Sequence, residues 1–119
     1  MTDAVSTTEA RAASLIEQIR SLAPLSDADV ARATGTTDEV AAAWRAGRGE
    51  PRDWQLQRLE ELREVVAKLA EAMDVAYIPQ WLNKRPPRLG RRAPLDVIAG
   101  GEHTEVLAVA GEMIYPTFT

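Results

Sequence analysis

From Leu56 to Met73 an apolar side chain recurs every three or four residues: Leu56, Leu59, Leu62, Val66, Leu69 and Met73. That spacing returns to one face of a helix and suits no strand, whose side chains alternate faces. One long helix is therefore expected over residues 52–73, with Pro51 fitting the first turn, where a missing N–H costs nothing. At 1.5 Å per residue it would span about 33 Å, enough to join two small subdomains. Arg58, Glu61, Glu64 and Lys68 fall on the opposite face, and Glu64 before Lys68 is the favourable i, i+4 order, worth about 0.3 kcal/mol.

The rest of the chain also reads as helix. Aromatic residues are 5% of the total, alternating β-branched runs are absent, and Ala, Leu, Glu and Arg abound. Further helices are expected over residues 8–22, 27–33, 38–45, 94–99 and 104–114, with a short one starting at Pro79 that carries Trp81 and Leu82. Pro24 ends the first. Ser26 caps the second with Asp27 and Asp29 in its first turn, and Gly35 closes it; Thr36 or Thr37 caps the third, and Gly47 and Gly49 stop it. Consecutive Pro86 and Pro87 make residues 83–93 a loop. The fold class is all-α, within the size of one compact domain or two small ones sharing a core.

Several function classes drop out. No apolar run approaches the ~20 residues of a membrane helix, and residues 1–10 lack a basic start followed by an apolar stretch, so a cytoplasmic location without membrane contact is expected. There is no cysteine, hence no thiolate nucleophile or metal ligand, and neither phosphate-binding glycine motif occurs. His103 is the one histidine; beside a helix start it is expected to be solvated. No catalytic residue, metal site or cofactor is assigned, and a binding protein rather than an enzyme is expected.

Residues 25–49 have the layout of a helix-turn-helix: a capped short helix, a glycine turn and a second short helix ending in Trp44-Arg45. Ala31 and Val40 would be the small residues where the two helices cross. The second helix would be the recognition helix, but its first turn offers Asp38 and Glu39, which repel phosphate. The groups suited to operator DNA are Thr36, Thr37, Arg45, Arg48 and Arg52. The net charge is −4, yet Lys84, Arg85, Arg88, Arg91 and Arg92 crowd into the loop, as a solvated face or a surface for a partner. Tyr115, Pro116, Thr117, Phe118 and Thr119 form a tail with two aromatics and no charged side chain.

The string Trp81-Leu82, Pro86, Leu89-Gly90, Pro94-Leu95 and Ile98 resembles the toxin-binding domain of the Xre/MbcA/ParS family of bacterial antitoxins. The match covers residues 54–119 best, and the family usually carries a helix-turn-helix upstream. Pro87 stands where the family commonly has Asn, and residues 99–101 read Ala-Gly-Gly where Thr is common. The resemblance implies two regions. Residues 1–50 would be an Xre-like helix-turn-helix, joined by the long helix to a small helical toxin-binding domain within residues 51–119.

The partner implied is a RES-domain toxin that consumes NAD, held in a complex that blocks its active site. Autorepression of the shared operon, dimers and larger assemblies would accompany this. The toxin-binding residues expected are Trp81, Lys84, Arg85, Arg88, Leu89, Arg91 and Arg92. The tail Tyr115, Pro116, Thr117, Phe118 and Thr119 is expected to be the inhibitory element. A homodimer is expected also because the long apolar face exceeds what a chain of 119 residues easily buries. The competing readings are a stand-alone DNA-binding regulator dimerised by its C-terminal part, and an adaptor that has lost DNA binding.

Overall fold

A computed structural model describes residues 7–114. It is all-α: α1 (Thr7–Leu22), α2 (Asp27–Thr34), α3 (Asp38–Arg45), α4 (Asp53–Ala72), α5 (Ile78–Leu82), α6 (Pro94–Ala99) and α7 (His103–Ile114), with no strand among the described residues. Two single turns of 3-10 helix, Val75–Tyr77 and Pro87–Leu89, complete it. The second lies inside the expected loop. Pro87 opens it at a position where the lost N–H had no partner to lose.

The caps are local chemistry. Ser26 Oγ accepts from the Asp29 N–H and Asp29 Oδ2 accepts from the Ser26 N–H, both at 3.1 Å, so α2 starts on a reciprocal capping box. Gly35 ends it at φ +66°, a left-handed conformation that a β-carbon disfavours. Thr37, not Thr36, caps α3, its Oγ1 accepting from the Val40 N–H at 3.2 Å. Pro51 precedes α4 instead of standing in its first turn, and Gln55 Oε1 accepts from the Arg52 N–H at 2.9 Å.

Helix α4 is the axis of the molecule. Leu59, Leu62, Val65, Val66 and Leu69 are fully buried, covered by α1 and by α7. The long apolar face is thus largely buried within one chain; the aromatic tail, the other ground for expecting a homodimer, lies outside the described residues. Helix α6 lies on α2, and the buried apolar cluster runs without interruption from Ala12 of α1 to Ala110 of α7.

Three expectations are corrected here. Ala41 of α3 is buried, while Val40 is 38% exposed, because the buried face of this short helix is the one that carries Ala41 and Trp44, three positions apart. Glu61 is buried on α4 instead of solvated. It accepts from Gln57 Nε2 at 3.1 Å and Arg58 Nη1 at 3.2 Å. His103 is not solvated either: its ring lies between Glu61, 3.7 Å from Nδ1, and Glu64, 3.3 Å from Nε2, because the start of α7 rests on α4.

Candidate functional site

The basic loop leaves α5 at Asn83 and returns at Ala93. Leu89 anchors it, 1% exposed in the shared core. Behind the 3-10 turn, Gly90 and Arg91 take left-handed conformations in succession, φ +67° and +62°. Their N–H groups donate to Pro87 O at 2.9 Å and Pro86 O at 3.0 Å. Arg91 is the one described non-glycine residue with positive φ, a conformation costing on the order of 1 kcal/mol that the turn imposes. Its side chain remains exposed.

The loop cations divide by partner. Arg88 forks onto both carboxylate oxygens of Glu112, and Arg92 Nη1 binds Glu102 Oε1 at 2.8 Å with Glu105 Oε1 3.4 Å away. Both fasten the loop to α7. Arg85 sits close enough to Asp96 to favour its ionised form. Lys84 and Arg91 are exposed and have no ion-pair partner among the described residues. Of the expected contact residues, Lys84, Arg85 and Arg91 thus carry no ion pair among the described residues, whereas Arg88 and Arg92 already hold intramolecular carboxylates.

Leu89 cannot meet a partner as expected, because burial in the core commits it to packing. Trp81 is half-buried against the same core. Tyr115, Pro116, Thr117, Phe118 and Thr119 lie outside the described residues.

The helix-turn-helix surface also differs from expectation. Arg45 is already paired: its Nε and Nη2 bind the two oxygens of Asp27, each at 2.9 Å, with Arg20 3.7 Å from the same carboxylate. The start of α2 and the end of α3 pack side by side, which brings these charges together. The Thr37 hydroxyl is engaged as a cap and Thr36 is half-buried. Arg48 and Arg52 remain exposed and without an ion-pair partner among the described residues. Asp38, Glu39 and Val40 form the exposed start of α3.

Sequence reasoning missed Tyr77, 60% exposed, and Val75, 42% exposed, in the turn after α4. Their interruption of the apolar period after Met73 was the available signal. Trp54, 43% exposed, was missed too. Its ring covers the glycine turn, 3.1 Å from where a β-carbon on Gly35 would stand, and the Arg58 guanidinium lies 5.9 Å from its centre.

These ion pairs have a pH signature. The hydrogen bond from Arg45 holds the Asp27 carboxyl below its ordinary value of 3.8, and that from Arg32 does the same for Asp96. Arg92 holds Glu102 below 4.5 in the same way. A carboxyl lowered in the folded state binds fewer protons there than when unfolded. Its contribution is complete above the unfolded value and disappears as pH falls through the folded one. The urea midpoint is thus expected to stay level from about pH 7 to 5 and to fall below about pH 4. The double variant D27N/D96N should flatten that fall; an unchanged parental midpoint at pH 3 would contradict the pairing.

No helix among the described residues is long and apolar enough to cross a membrane. No protein-family model matches the chain. A probable mycobacterial cidal antitoxin of Mycobacterium tuberculosis, Rv3188, is 27% identical over 106 residues, 87% of this chain and 90% of that protein. The mycobacterial cidal antitoxin MbcA of Mycobacterium bovis is 34% identical over 77 residues, 65% of this chain and 68% of MbcA, and MbcA of M. tuberculosis gives the same figures. In three dimensions the chain matches one in the crystal structure of the M. tuberculosis MbcT–MbcA toxin–antitoxin complex. The TM-score is 0.74 and the identity 27%, over 97% of this chain and 100% of that one.

Proposed function

The chain belongs to the family of mycobacterial cidal antitoxins, and from that premise we propose that it binds and neutralises a toxin protein as its partner. The observation that carries this is the match along nearly the whole chain, helix-turn-helix region included, to a chain of a toxin–antitoxin complex. The finer reading is a RES-domain toxin whose NAD-consuming active site the antitoxin covers. No catalytic role is given to this chain, whose single histidine lies against its own Glu61 and Glu64. The contact surface centres on Lys84 and Arg91, with Arg85 beside them and residues 115–119 as the segment that enters the toxin. Co-expression with the RES-domain toxin from its own operon tests this. Growth should be restored by the full chain, and a version ending at residue 114 should fold but fail to protect. Arrested growth with the full chain present would contradict the reading.

Autorepression is part of the same proposal, with Arg48 and Arg52 as its phosphate contacts. Asp38 and Glu39 at the start of α3 oppose base reading, so the interaction is with the DNA backbone. Replacing both arginines by Ala is expected to weaken operator binding by about tenfold at moderate salt and to shallow its salt dependence by about two. An unchanged gel shift would assign DNA contact to another surface or to none.

A further inference from the structure

Arg32 lies on α2, in the middle of the helix-turn-helix region, yet its side chain faces the other half of the molecule. Its Nε and Nη2 donate to Asp96 Oδ1 and Oδ2, each at 2.7 Å, and its Nη1 donates to Asn83 Oδ1 at 2.9 Å. Asn83 is the residue at which the chain leaves α5 for the basic loop. Asp96 stands in the first turn of α6, just after the loop returns. One guanidinium therefore holds both ends of the segment that carries Lys84, Arg85, Arg88, Arg91 and Arg92. Asn83 is gripped further: its Nδ2 donates to Asp29 Oδ1 at 3.1 Å and to Pro79 O at 2.8 Å. Asp29 is the same residue that closes the capping box of α2. The mouth of the loop is thus tied to the best-defined turn of the N-terminal region.

We infer that Arg32 is a positioning residue for toxin binding: it fixes the mouth of the basic loop so that Lys84 and Arg91 are presented in one geometry. The inference rests on the antitoxin reading above. Its physical basis is the planar fork. Arg32 is two-thirds covered and meets Asp96 with two parallel bonds while a third donor reaches Asn83. A lysine ammonium in the same place is a point charge and cannot span all three acceptor atoms in that plane. Ordering the loop before binding removes an entropy cost that a loose loop would incur on docking. The other fastenings, Arg88 to Glu112 and Arg92 to Glu102, secure the middle and far side of the loop to α7 and leave its mouth to Arg32.

The test compares the full chain with Arg32→Ala and Arg32→Lys by amide hydrogen exchange and by the dissociation rate of the RES-domain toxin from its operon. In both variants the amides at the mouth of the loop, those of Asn83, Lys84 and Asp96, which donate to the Gln80, Trp81 and Ala93 carbonyls, should exchange about tenfold faster. The α4 amides should keep parental rates, since the core is untouched. Toxin dissociation should quicken about tenfold in both variants. Lysine should not rescue, which separates a positioning fork from a bare charge. Parental loop exchange in Arg32→Ala, parental toxin dissociation in that variant, or full rescue by lysine would each overturn the inference. If the parental chain fails to bind the toxin, the antitoxin reading falls with it, while the exchange rates still decide whether Arg32 orders the loop.

Discussion

Leu62→Ala is expected to lower the stability of the folded chain by about 3 kcal/mol, the usual cost of truncating a fully buried leucine. Leu62 is 0% exposed on α4. Its neighbours there, Leu59, Val65, Val66 and Leu69, are equally buried, and α1 and α7 press on this helix from separate sides. Helices held on several sides collapse poorly into a void, so the cavity persists and adds to the lost transfer energy. For a chain of this size the melting temperature should drop by about 12 °C. Trp54→Ala is the contrast. Trp54 is larger but 43% exposed, and its truncation should cost about 1 kcal/mol from lost cover over Gly35 and Arg58. Urea titrations of the two variants check the ordering. A Leu62→Ala chain within 1 kcal/mol of the parent would mean that α4 is not the axis of the core.

The second large effect concerns binding. Reversing two of the unpaired loop charges, K84E/R91E, is expected to raise the Kd for the toxin by about 100-fold, equal to about 2.7 kcal/mol. The antitoxin reading makes this loop a positive surface meeting an acidic one, and like charges facing across an interface cost several kcal/mol. Most of the loss should appear at low salt, since exposed charges are screened beyond about 10 Å at 0.1 M. Stability should change by no more than about 0.5 kcal/mol, because neither side chain has an ion-pair partner among the described residues to lose. Arg91 already carries its backbone strain, and Glu inherits the same φ. The double variant R88A/R92A should behave differently. It cuts the loop away from Glu112 and Glu102, so it should loosen the loop before it weakens any toxin contact. Isothermal titration at two salt concentrations separates the two variants. Equal affinity of K84E/R91E and the parent would place the toxin contact elsewhere.

The residues show which features a sequence can declare. The α4 helix was legible because its partners on both sides only needed apolar side chains at regular intervals, and the interval itself encodes the face. The α2 boundaries were legible because Ser26, Asp29 and Gly35 act on the backbone within a few positions of themselves. The pairing of the cations was not legible. Arg45 meets Asp27 across 18 positions, Arg88 meets Glu112 across 24, and Arg32 meets Asp96 across 64. No local pattern reports such partners, so a run of basic residues looked uniformly available when two of its five members were committed to α7. Glu61 illustrates the same limit on a helix. Its position in the period marks it as solvent-facing, but the start of α7 and Arg58 close over it and supply the bonds its burial requires. Leu89 is the reverse case: with Leu82, Leu95 and Ile98 it has the spacing of a proline-braced loop folded against an apolar patch, and it is buried there.

The central claim is that this chain neutralises a toxin by binding it stoichiometrically. The most direct measurement takes the partner proposed above, an NAD-consuming RES-domain toxin, and titrates its NAD consumption with the purified full chain. NAD turnover should fall linearly and reach background near a fixed small-integer ratio of the two proteins, with a stable complex recovered by gel filtration at that ratio. Undiminished NAD turnover at a severalfold excess of a well-folded chain would contradict it.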